Sequence, residues 1–139
     1  MALLAHCTSV VSRALIWVER LGTVLVWRGY GEGSDSGALA SLRIELNEPS
    51  MFSLAFESRT AAVVTTAANS ADELVFTSLP EMPESAAVIP IVRGEELIFF
   101  LYVDNGPAQV ADATVEELRR LGIAAGAALQ RIAQQRRLG

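Results

Sequence analysis

The chain contains no lysine, and cysteine and histidine occur once each, as Cys7 and His6. A single thiol cannot close an intramolecular disulfide, so a reducing compartment is the simpler expectation. One imidazole falls well short of the three or four donors that metal sites gather, so neither a metal nor an imidazole-held haem is expected. The missing lysine is read as a bias towards arginine codons rather than as a functional trait. No apolar run approaches the ~20 residues that cross a bilayer, so no membrane span is expected. The opening "MALLAHCTSVVSR" resembles an export signal only superficially. It lacks a basic start, and His6, Thr8 and Ser9 interrupt the apolar stretch, so a signal peptide is rejected and a cytoplasmic location expected.

Signatures of chemistry are missing too. Gly29, Gly31 and Gly33 lie in "RGYGEGSDSGA", but neither a Lys-Ser/Thr pair nor a helical pattern follows. The segment reads as a flexible loop, not a phosphate cradle. Glu95 and Glu96 are neighbours in an extended segment and point to opposite faces, while Asp104 reads as a turn former. Neither supplies two groups within reach of one substrate, and no nucleophile–base constellation appears, so the chain is expected not to be an enzyme. A net charge of −5 argues against nucleic acid, whose binding depends on neutralised phosphates. Arg119, Arg120, Arg131, Arg136 and Arg137 are read as cations complementing a helix C-terminus.

What is present is apolar. Residues of that type make up 51% of the 139, enough for one domain spanning residues 1–139 to bury roughly two thirds of its unfolded surface. Residues Ala2 to Ser12 are expected to form a short helix. "RALIWVE" and "TVLVWRG" are β-prone runs joined at Arg20-Leu21-Gly22, a hairpin. "SLRIEL", Ser41 to Leu46, alternates as a strand with one face to solvent. In "NEPSMFSLAFE", Asn47 is expected to cap a helix with Pro49 in its first turn and Phe52, Ala55 and Phe56 on one side. "AAVVTT" reads as a short buried strand, and Ser70 with Glu73 as the capping box of a brief helix.

"VIPIVRGEELIFFLYVDNG" predicts two strands, Ala87 to Val92 and Glu96 to Val103, turning at Arg93-Gly94. Ile98 to Val103 is apolar or aromatic throughout, as expected of a strand covered on both faces at the centre of a sheet. Asp104-Asn105-Gly106 should end it. From Asp112 a long helix follows, with Val115, Leu118, Gly122, Ala125, Leu129 and Ile132 along a buried stripe.

This order of elements resembles the GAF domain over nearly the whole chain. The most specific match is "AAVIPIVRGEELIFFLYVDNG" with the helix after it: Pro90, the Gly94 turn, Leu97 to Val103, the Asp104-Asn105 break and Val115 to Ile132. The resemblance implies an α+β fold, a GAF-like or PAS-like antiparallel sheet of five to six strands with N- and C-terminal helices packed on one face. Phe99-Phe100 departs from the family, many of whose strands carry a glycine there, and implies a fuller core or a smaller cavity. Several family activities fail on the residues. Cys7 is poorly placed for a bilin, one cysteine cannot run the redox cycle of the methionine sulfoxide reductases, and the Asn-Lys-Phe-Asp-Glu signature of the cyclic-nucleotide binders is missing.

The resemblance places a pocket on the sheet face opposite the terminal helices, lined also from Asn47 to Leu79. Its candidates are Trp27, Arg28, Tyr30, Phe52, Phe56, Arg59 and Tyr102, an apolar wall with two cations and a hydroxyl for an unidentified small molecule. The same aromatics also read as ordinary packing residues that leave no cavity. By analogy with the family, the terminal helices imply a homodimer through Leu3, Leu4, Leu118, Ala125, Leu129 and Ile132; a helix that only covers its own sheet is the other reading. The expected function is a non-catalytic sensory or regulatory module of bacterial signal transduction, with no cofactor assigned. It would act with a signalling partner or as part of a longer chain. The competing expectation is a ligand-free dimerisation platform of roadblock or longin type; the strand Ser41 to Leu46 and the proline-bounded hairpin favour the first.

Overall fold

The computed structural model of the chain describes residues 11–65 and 69–138. Strand β1, Arg13–Arg20, pairs antiparallel with β2, Thr23–Tyr30. Two residues close this hairpin, Leu21 and Gly22, both in the left-handed region at φ 54° and 85°. Such primed turns match the right-handed twist of the strands they join. Helix α1, Gly37–Ala40, is capped by the Ser36 side chain, and β3, Ile44–Glu45, adds to the outer side of β2. Helix α2 covers Met51–Ser58, β4 covers Ala62–Val64 and α3 covers Ser70–Thr77. Strands β5, Ala86–Arg93, and β6, Glu96–Asp104, form the second hairpin, and α4, Asp112–Leu138, closes the fold.

The sheet runs β3-β2-β1-β6-β5-β4, with every pair antiparallel. β6 therefore lies between β1 and β5, as its unbroken apolar run predicts. Alternate residues of this strand serve two cores. Phe100 and Tyr102 face a layer made with α2 and α3, whereas Phe99, Leu101 and Val103 face a layer that includes Leu118 of α4. Burying each such side chain contributes roughly 1.5–3 kcal/mol.

Helix α4 lies along β5 and runs in the same direction. Gly122 meets Ile91 and Ile89, Gly126 meets the backbone of Val92, and Gln130 reaches the turn at Gly94. Residues beyond Gln130 project past the end of the sheet.

Four sequence expectations change. Helix α2 is capped by Ser50, not Asn47: Ser50 Oγ accepts from Ser53 N while Ser53 Oγ accepts from Ser50 N, so the helix starts after Pro49. Helix α3 is capped by Asn69, whose Oδ1 accepts from Asp72 N at 2.9 Å, in place of the Ser70–Glu73 box. The strand expected over Ser41 to Leu46 shrinks to Ile44–Glu45, because Ser41 ends the unforeseen helix α1 inside the glycine-rich segment. Its alternation survives without the ladder: Ile44 is buried, Leu42 and Leu46 pack on the same core, and Arg43 and Glu45 face out. Asp104 is the last residue of β6 and is wholly buried. The helix expected over Ala2 to Ser12 lies outside the described residues except at Val11 and Ser12, which are not helical.

Candidate functional site

On the face of the sheet away from α4, the pleat brings Leu15 and Trp17 of β1 beside Phe100 and Tyr102 of β6. Helix α2 lowers Phe52 into this row. The Phe52 ring lies 4.9 Å from Trp17 and 5.3 Å from Phe100, the second contact edge to face. Aromatic pairs in these geometries add about 0.5–1.5 kcal/mol beyond their burial. Trp17, Phe52 and Phe100 are completely covered, so the row is filled with side chains. The Trp17 Nε1–H has no hydrogen-bond partner among the described residues, an uncompensated donor inside the layer.

A polar cluster closes one end of the row. Asp104 Oδ2 accepts from Arg13 Nη1 at 3.0 Å and from the Tyr102 hydroxyl at 2.8 Å, and Oδ1 accepts from Gly106 N at 2.9 Å. Arg13 also donates through Nε to the Glu32 carbonyl at 2.9 Å. These bonds tie β1, β6, the loop after β2 and the turn before α4 to one carboxylate. Burial, and next the Asp104 charge, push the Tyr102 phenol well above its ordinary range, so it stays protonated and donates. A second buried carboxylate, Asp72, accepts from Met51 N at 2.8 Å and from Asn69 Nδ2 at 3.2 Å, fastening α3 to the start of α2. Burial raises its pKa against the lowering effect of those bonds. Among the described residues no group of three His, Cys, Asp or Glu side chains is placed to hold a metal ion.

The seven candidate pocket residues fall in three places. Phe52 and Tyr102 are wholly inside. Trp27, Arg28 and Tyr30 lie on β2, with Trp27 54% and Tyr30 48% exposed. The β1–β2 register slips between Ile16, opposite Arg28, and Trp17, opposite Val26, so Trp27 is the extra residue of a bulge. Arg28 stacks on the Trp27 ring at 4.6 Å, and both border a depression of about 320 Å³ with Ser34, Asp35 and Ala40. Phe56 and Arg59 mark the end of α2. There the Arg59 guanidinium lies 5.8 Å from the Phe56 ring and donates to the Glu95 carbonyl at 3.1 Å.

Of the six candidate dimer residues, Leu118 is fully covered beneath α4, Ala125 and Leu129 are half-buried, and Ile132 is 46% exposed. Leu118 thus belongs to the seam with the sheet. Leu3 and Leu4 lie outside the described residues. The sequence alone does not mark Trp17, Arg13, Asp104 and Asp72 as site residues. The parity of β6 carried one signal for them, because Tyr102 and Asp104 are two apart and must share a face.

No helix among the described residues is long and apolar enough to cross a membrane. No family model matches the chain, and no curated protein matches it. Solved structures do. The second GAF domain of DevS from Mycobacterium smegmatis is 14% identical, with a TM-score of 0.72 over 99% of this chain and 95% of that one. The blue-light absorbing form of the PixJ GAF domain from Thermosynechococcus elongatus is 15% identical, with a TM-score of 0.75 over 99% and 86%. The GAF domain/HD domain protein from Geobacter sulfurreducens is 11% identical, with a TM-score of 0.74 over 95% and 90%. At these identities the likeness concerns architecture: six antiparallel strands in one curled sheet, helices on both faces and a long closing helix. This chain has the fold of the GAF domain.

Proposed function

We propose that the chain is a sensory or regulatory module of signal transduction, in which contact on one face of the sheet biases the helix on the other. The observation that carries this reading is that two cores share β5 and β6. Phe100 and Tyr102 pack towards α2, while their neighbours Phe99 and Leu101 pack on the α4 side, so the sheet joins the two cores. A displacement of Phe52 must move Phe100, and with it β6, whose hydrogen-bonded partner β5 carries α4. The fold shared with PixJ, a cyanobacteriochrome receptor, is consistent with that use.

The accessible contacts for a small molecule are Trp27, Arg28 and Tyr30 at the sheet margin and Phe56 and Arg59 at the end of α2. Phe52 and Tyr102 act beneath them. Dimerisation through the terminal helices engages α4 at the exposed Ile132 and the half-buried Leu129, with Ala125 at the margin of the sheet-side core. A thermal-shift screen with nucleotides and small metabolites tests the sensor reading. One stabilising compound whose effect is lost in Trp27→Ala supports it. Indifference to the whole panel, with a dimer in sedimentation, supports an interaction platform instead; the filled Trp17–Phe52–Phe100 row favours that second reading. A monomer throughout low micromolar concentrations removes the dimer from both.

A further inference from the structure

The tip of the β1–β2 hairpin breaks two local rules. Leu21 adopts φ 54°, where Asn, Asp or Gly is preferred, and its side chain is fully exposed. Among the described residues, none covers the Leu21 side chain. Beside Leu21 opens a groove of about 420 Å³, with Leu46 and Phe56 in its lining. Among the described residues, Glu45 and Glu57 are the only charged side chains that line it. Glu19 and Arg20, of opposite charge, flank the turn, Glu19 accepting from Gly22 N, and Arg59 lies over the Phe56 ring and donates to the Glu95 carbonyl.

The opposite chemistry lies at the same end of the molecule. β1 and β5 both run antiparallel to β6, so the Leu21 turn and the Gly94 turn share one end of the sheet. Helix α4 passes Gly94 at Gln130 and continues to Leu138, an overhang of ~12 Å at 1.5 Å per residue. It carries Arg131 and Arg136 beside the exposed Ile132. A straight helix on one face cannot turn into a groove that α2 borders on the other face. A second copy meets no such obstacle.

We propose that the Leu21 groove receives the Arg131–Leu138 end of α4 from a second copy, with Leu21 as the apolar anchor and Glu45 and Glu57 opposite the arginines. Groove and helix end occupy the same end of each copy, so the exchange is reciprocal and closes as a two-fold dimer. The inference rests on the dimer proposed above and specifies its contacts. Sedimentation of the full chain provides the test, using Leu21→Asn, which suits the turn, and the double reversal Glu45→Arg with Glu57→Arg. Each is expected to weaken association about tenfold or more. The reversal Arg131→Glu with Arg136→Glu should do the same, and combining both reversals should restore the dimer. A dimer indifferent to these variants overturns the groove contact and leaves helix pairing standing. A wild-type monomer overturns both. Unchanged circular dichroism and melting temperature identify folded variants, and Leu21→Asn alone decides the case if a reversal fails to fold.

Discussion

The α-carbon of Gly126 rests against the carbonyl of Val92, so close that any β-carbon on residue 126 would overlap that oxygen. Backbone meets backbone here, and neither side has a flexible end to withdraw. Four residues earlier, Gly122 faces the Cδ1 of Ile91, a side-chain end that can rotate away. The two glycines therefore set the height of α4 above β5 with different stiffness.

Gly126→Ala is expected to lower stability by about 1–3 kcal/mol, the range for forcing added volume into a packed seam. Gly122→Ala should cost less, because Ile91 can yield and alanine favours the helix. Urea unfolding followed by circular dichroism checks the order; a larger loss for Gly122→Ala would refute this account of the seam.

Removing the ring that α2 places between Trp17 and Phe100 empties the middle of the filled face. Phe52→Ala is expected to cost about 3–5 kcal/mol, while Phe52→Leu should retain much of that. Loss of the near-ultraviolet signal of Trp17 at unchanged far-ultraviolet ellipticity would locate the damage in this row.

The buried pair at the end of β6 makes an asymmetric prediction. Arg13→Ala leaves the fully covered Asp104 carboxylate without its cation and is expected to cost about 3–5 kcal/mol. Replacing Arg13 and Asp104 together by apolar residues should cost less than the single change. A double-mutant cycle measures the coupling.

Tyr102 gives the fold an alkaline limit. Its folded-state pKa is raised, first by burial and then by Asp104, so the folded form resists losing this proton while the unfolded form releases it near pH 10. Stability is full below the unfolded value and falls as pH rises above it. The missing lysines keep that window almost free of other titrations. Tyr102→Phe is expected to lose about 1 kcal/mol at neutral pH through one hydrogen bond, yet to flatten the decline above pH 10. An equally steep decline in the variant would show that another group governs it.

Periodicity made most of the fold legible. The unbroken run around Phe99 and Phe100 had to lie inside the sheet, the turn at Gly94 joined it to β5, and the stripe through Leu118 and Gly122 had to face that sheet. Local competition was less legible. Asn47 and Ser50 are both good helix caps, and the choice fell to Ser50 because Ser53 reciprocates its bond. Alternation separates Trp27 from Phe52, since Val24 and Val26 pack in the Phe52 core, but it does not announce the one-residue bulge at Trp27. Asp104 looked like a turn former because Asn105-Gly106 follow it. It does brace that turn through Gly106, but its main partner, Arg13, is ninety-one positions away and only tertiary structure brings the two together.

The central place of β6 also governs how the chain is made. Trp17 waits for Phe100, and Arg13 for Asp104, so the first hairpin leaves the ribosome with one edge open until the last third of the chain has been synthesised. Such distant pairings slow folding and leave a sticky ribbon uncovered in the meantime. Newly made chains are most vulnerable to misassociation in that interval, and any helper that shields a nascent strand would act on β1.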